Sequence, residues 1–82
     1  MTLDPRFLQI LREVAELDRT FQIEPEQDLK HDLGIDSLKL IDIVLAVERS
    51  FGAELSEDAL SQLQTVGSLW EEVAKSLSKE SS

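Results

Sequence analysis

Apolar residues in this chain recur mostly at three- and four-residue steps, and no run alternates apolar with polar as a half-buried strand would, so the pattern predicts helices. Near the N-terminus Phe7, Ile10, Leu11, Val14 and Leu17 share one helical face, with Arg6, Arg12, Glu13 and Glu16 outside it. Asp4 is placed to cap this helix, Pro5 to be its first residue and Leu3 to staple against Leu8, and the spacing carries the helix to about Leu17. From Asp18 to Ile35 the periodicity lapses and the chain holds Pro25 and Gly34. This reads as a long ordered loop pinned by Ile23, Leu29, Leu33 and Ile35, and a loop of such length in a small domain usually carries function.

A second helix is predicted from Asp36 as cap and Ser37 as first residue to Phe51, with Ile35 stapled to Leu40 and Gly52 closing the end in a left-handed conformation. A short third helix follows Ser56, with Glu57 and Asp58 complementing the dipole of its first turn and Leu55 stapled to Leu60; it does not extend much beyond Leu63. The fourth starts after Thr65, carries Val66, Leu69, Trp70, Val73 and Leu77 on one stripe, and fades into a flexible tail from about residue 78 to residue 82. No repeats occur, and the whole forms an all-α bundle.

The second helix is apolar over too wide an arc. Leu40, Val44, Val47 and Phe51 fall in one narrow sector, which is all that a core-facing stripe requires. Leu38, Ile41 and Leu45 make a further row on its flank, beside a polar strip of Lys39, Asp42 and Arg49. Either the third helix covers that row or the row is a docking surface. It begins one residue after Ser37, at a helix N-terminus where free N–H groups and the helix dipole favour a phosphate.

Composition narrows the function. Eighty-two residues bury a single core, so residues 1–82 form one domain, and a deep catalytic cleft needs more scaffold than this. Without cysteine there is no disulfide or thiolate metal site. Seventeen acidic against eight basic residues give a formal charge of −9, which repels nucleic acid and anionic lipid and attracts enzymes with basic docking patches. The sequence has no basic start followed by an apolar run and no stretch of about 20 apolar residues, so neither a signal peptide nor a membrane span is expected and the chain is placed in the cytoplasm. The start at Met1 and the short tail read as those of a freestanding protein, expected to be a monomer.

The run Asp32-Leu33-Gly34-Ile35-Asp36-Ser37-Leu38 resembles the phosphopantetheine attachment motif of acyl carrier proteins. The likeness continues at the family's spacing through Ile41-Asp42, Ala46-Val47-Glu48, Phe51, Glu54-Leu55, Ser56-Glu57-Asp58-Ala59 and Thr65-Val66, is strong from about Glu24 to Val73, and leaves the first helix generic. It implies a four-helix bundle of acyl-carrier type, with a long loop between helices 1 and 2 and a short third helix. It also implies a 4'-phosphopantetheine on Ser37, with Asp36 and Leu38 beside it, moved there from coenzyme A by a magnesium-dependent phosphopantetheinyl transferase. Such a protein is a non-catalytic carrier of thioester-linked acyl groups, used by loading, condensing and acyl-transferring enzymes in fatty-acid, polyketide or related biosynthesis. By the same resemblance the partner surface comprises Leu38, Ile41 and Leu45, the acidic Asp36 and Asp42, and further Glu48, Glu54, Glu57 and Asp58. Val44, Leu60 and Leu63 either line a space for cargo between helices 2 and 3 or are plain core.

Two residues depart from the family's pattern. Lys39 and Arg49 stand where carriers of primary fatty-acid synthesis typically have acids, which points to specialised partners. Alternatively Lys39 pairs with Asp42 and Arg49 is merely solvated. Aspartate before the serine looks more like acyl than peptidyl carriers, although an aminoacyl cargo stays open. Ser37, His31 and an aspartate could suggest a hydrolase, but the motif has no nucleophile elbow. His31 is instead a solvated loop residue or one touching the prosthetic arm. Glu24, Glu26 and Asp28 lack calcium-hand spacing, so no specific metal site is expected. Trp70 is read as packing. The rival to a modified carrier is an unmodified acidic helical adaptor that uses only the apolar row.

Overall fold

A computed structural model describes residues 3–80, with the side chains of Glu57 and of residues 78–80 outside the description. Four helices follow in order: α1 (Pro5–Val14), α2 (Ser37–Phe51), α3 (Glu57–Ser61) and α4 (Val66–Glu80). Among the described residues extended pairing is limited to one isolated bridge between Asp28 and Thr65. The fold is thus the four-helix arrangement with a long first loop and a short third helix. No described helix is long and apolar enough to cross a membrane.

The core forms where the helical stripes converge. Phe7 and Leu11 of α1, Ile43 and Val47 of α2, and Val66, Leu69 and Val73 of α4 are fully buried, each contributing roughly 1.5–3 kcal/mol of apolar burial. Ile43 lies beside the sector assigned to the core from sequence and was not among its expected members. Leu40 and Phe51, which were, are only partly buried. Leu29, Leu33 and Ile35 pin the long loop to this core as expected, and Ile23 packs on its edge. Trp70 is half-buried between Phe7, at 5.1 Å between ring centroids, and Phe51, edge-on at 5.7 Å, while the Arg6 guanidinium lies 4.4 Å above the Phe51 ring. The indole is therefore a packing residue.

Two boundaries differ from the periodicity. α1 ends at Val14, not near Leu17, because Glu16 turns into the left-handed region (φ 56°) and the Leu17 N–H returns to the Arg12 carbonyl at 2.9 Å. That reversal keeps Val14 and Leu17 against the core in spite of the break, and the Arg12 guanidinium donates to the Asp18 carbonyl at 2.8 Å to hold the exit. α4 continues to Glu80, past the start assigned to the tail, since no glycine or proline interrupts the chain after Gly67. Ser81 and Ser82, the remainder of that tail, lie outside the described residues. The other ends follow expectation: Asp4, Asp36 and Ser56 accept N–H groups as caps, and Gly52 closes α2 at φ 69°.

Candidate functional site

Ser37 is the first residue of α2, and its environment is set by the residues on either side. Asp36 is extended (φ −88°, ψ −176°) and its Oδ1 accepts the Lys39 N–H at 2.9 Å, which fixes the start of the helix immediately before the serine. Ser37 itself is exposed. Among the described residues nothing accepts from the N–H groups of Ser37 and Leu38, so two donors beside the hydroxyl are left without an intrahelical partner.

The approach to the serine is a turn organised by Asp28. Its Oδ1 accepts the N–H groups of Lys30 and His31, both at 2.8 Å, while its carbonyl accepts from Asp32 and Leu33. The Asp32 carboxylate closes the ring by accepting the Asp28 N–H at 2.6 Å. These donors, the His31 N–H foremost, hold the Asp28 carboxyl below its ordinary pKa. Gly34 then takes φ 70°, where a side chain would be strained, and the Ile35 N–H returns to the Leu29 carbonyl at 2.9 Å. Ile35 is thereby buried and Ser37 delivered to the surface.

Beside Ser37 lies a groove of about 540 Å³, floored by Leu29, Ile35, Leu40, Leu60 and Leu63 and rimmed by Asp28, Lys30, His31, Asp36, Ser61 and Gln64. Leu60 and Leu63 line it as one sequence reading had it. Val44 does not; it is buried one turn farther along α2 from the serine than Leu40. His31 is exposed on the rim. The Asp36 and Asp28 carboxylates are turned to backbone N–H groups, and among the described residues no hydrogen bond links Ser37 to a base. That arrangement lacks the geometry of a catalytic serine.

The apolar row of α2 is open. Leu38 is 75% exposed, Ile41 51% and Leu45 49%, so α3 does not cover it. Asp36, Asp42 and Arg49 are exposed around the row. Lys39 is not paired with Asp42; its ammonium lies 3.8 Å from the Glu16 carboxylate in the loop after α1. Glu48 is partly buried and its Oε2 accepts the Leu55 N–H at 3.2 Å, which makes it a brace for the α2–α3 loop. Glu54 and Asp58 are exposed beyond the row; the Glu57 side chain lies outside the description. Sequence reasoning missed the Asp28 turn and the Glu48 brace. Asp28 two and three residues before Lys30 and His31 is the pattern of an Asx turn, which was available as a signal.

The residues suit a phosphodiester-linked arm: a hydroxyl open to solvent, two free N–H donors at a positive helix end, and a groove and an apolar row next to it. The model of the phosphopantetheine attachment site family matches residues 5–73. An acyl carrier protein of Acidothermus cellulolyticus is 37% identical over 59 residues, covering 72% of this chain and 69% of the relative. One from Coprothermobacter proteolyticus is 49% identical over 45 residues, 55% of each chain. Among solved structures, one assigned as an acyl carrier protein from Mycobacterium tuberculosis superposes with a TM-score of 0.79 at 30% identity, covering 85% of this chain and 92% of its own. Fold, motif and relatives agree, and the chain belongs to the acyl carrier proteins, whose prosthetic group is 4'-phosphopantetheine.

Proposed function

We propose that Ser37 bears the phosphopantetheine and that the chain is a non-catalytic carrier whose cargo passes between enzymes of fatty-acid, polyketide or related biosynthesis, in a specialised rather than a primary route. The observation that carries the reading is the exposed hydroxyl at the head of α2, directly before the open row Leu38, Ile41 and Leu45. When attached, the group supplies a terminal thiol that holds acyl units as thioesters. The chain's own residues do the rest. On a magnesium-dependent transferase the Ser37 oxygen bonds to the pantetheine-side phosphorus of coenzyme A as the pyrophosphate linkage breaks; adenosine 3',5'-bisphosphate leaves and the transferase takes up the hydroxyl proton. The free N–H groups of Ser37 and Leu38 favour the phosphate, and Asp36 keeps the helix start in place. The groove floor of Leu29, Ile35, Leu40, Leu60 and Leu63 shelters a short apolar cargo, and the α2 row gives visiting enzymes an apolar grip flanked by Asp36 and Asp42.

On this reading the carrier is monomeric and cytoplasmic, and its formal charge of −9 supports docking by basic enzymes. Intact mass is the test. Incubated with coenzyme A, magnesium and a broad-specificity phosphopantetheinyl transferase, the chain gains one prosthetic group and Ser37→Ala gains none. A chain that stays at its apo mass would instead be the unmodified adaptor.

A further inference from the structure

Resting on the reading of α2 as the docking helix, we infer that this strip is polarised along its length. The enzymes it fits then carry a cation opposite Asp42, a carboxylate opposite Arg49, and an apolar hollow for Leu45 between them. Leu38, Asp42, Leu45 and Arg49 are spaced four, three and four residues apart, which aligns them on one helical stripe, and all four are exposed. Asp42 and Arg49 are seven residues apart, about 10 Å along the axis, which is roughly a Debye length at physiological salt. Neither charge cancels the other, and a partner reads them separately.

Lys39, the other reversed sign, does not belong to this strip. It is rotated about 100° from Leu38, its side chain is 37% exposed, and its ammonium faces Glu16 at 3.8 Å. The sign at position 39 serves the contact between α2 and the loop after α1. The sign at position 49 faces outward, where among the described residues it has no ion pair. Arg49 therefore sets partner choice and Lys39 does not. A uniformly basic patch gains attraction at Asp42 and meets like charge about two turns later.

The experiment compares Arg49→Glu with Lys39→Glu in the full chain, two variants of equal net charge. Its readout is the rate of mass gain with a phosphopantetheinyl transferase whose docking patch is basic throughout. Arg49→Glu is expected to raise kcat/KM about tenfold at low salt, with the gain shrinking as salt rises, and Lys39→Glu to change it less than twofold. A transferase variant carrying a glutamate in place of the cation facing the far end of α2 should reverse the preference between wild type and Arg49→Glu. Equal effects of the two carrier variants, or a shift in Tm at Arg49→Glu with no change in rate, overturn the inference; the latter makes Arg49 only a complement to the α2 dipole. Absence of any mass gain at saturating transferase overturns attachment at Ser37 and the inference with it, whereas gain without charge dependence overturns the inference alone.

Discussion

The two long helices, α2 and α4, are each 15 residues long and each begins with a capping residue, yet their N-termini are finished in opposite ways. At α4 every early donor is used. Thr65 and Ser68 cap each other, with the Ser68 N–H on Thr65 Oγ1 at 3.1 Å and the Thr65 N–H on Ser68 Oγ at 3.0 Å. The two N–H groups between them go to the long loop, Val66 to the Gln27 carbonyl at 3.0 Å and Gly67 to the Pro25 carbonyl at 2.9 Å. Gly67 permits that approach, since a Cβ there would lie 3.1 Å from the Pro25 oxygen. At α2 the Lys39 N–H is capped, and among the described residues nothing accepts from the donors of Ser37 and Leu38. Exposed donors cost little in water, so α2 gives up almost no stability by keeping a phosphate-ready end. The α4 head joins the loop to the bundle and the α2 head is a port.

Exchange of roles at the two heads would break that contrast. The largest expected effect is on modification: Ser37→Ala abolishes mass gain, and because the side chain is exposed its unfolding free energy stays within about 0.5 kcal/mol of wild type. If Ser37→Ala unfolded the domain, the α2 head would be structural after all. Next comes the reverse case. Thr65→Ala removes a cap and is expected to cost about 1 kcal/mol, a fall in Tm of roughly 4–8 °C, while the rate of modification at Ser37 is unchanged below the transition. Ser68→Ala also frees the Gln64 and Thr65 N–H groups and should cost at least as much. Trp70, packed between Phe7 and Phe51, reports unfolding by fluorescence without touching either head. Next, the change of about tenfold in transferase preference expected at Arg49, against less than twofold at Lys39, sharpens what the port selects.

Legibility followed the range of the interaction. The caps at Asp4, Asp36 and Ser56, the stop at Gly52 and the stripe of α4 depend on residues a turn apart, and the spacing alone located them. Leu38, Ile41 and Leu45 were legible as surplus because a helix of known pitch leaves them off the core sector, although whether α3 covered them needed coordinates. What escaped depends on contacts between distant segments. Glu16 reverses the chain without a glycine to announce it, Gly67 was silent because its reason lies with Pro25, and Lys39 finds Glu16 across the loop, not Asp42 on its own helix. The groove was legible only in part: Leu60 and Leu63 were named for it, but the loop residues Lys30 and His31 that rim it come from a turn that periodicity does not describe.

The smallest effect concerns the segment that links the two heads. Asp28 pairs with Thr65 in the isolated bridge, so its backbone belongs to the α4 joint, while its carboxylate shapes the turn that leads through Gly34 to the port. That carboxyl titrates below its ordinary value of 3.8 because the charged form accepts the N–H groups of His31 and Lys30. A depressed folded-state pKa stabilises the turn above the unfolded value and loses that stabilisation as pH falls through the folded one. Acid should therefore loosen the turn before the port, with amide signals of Lys30 and His31 shifting at a midpoint below 3.8 and their exchange with solvent quickening there. Those of Val66 and Gly67, held by carbonyl oxygens of Gln27 and Pro25, should follow only global unfolding. Asp28→Asn keeps an acceptor oxygen but cannot titrate, so it should remove the midpoint while leaving the α4 signals in place. If Val66 and Gly67 shifted together with Lys30 and His31, the two heads would be one cooperative unit and the distinction between joint and port would apply to hydrogen bonding only.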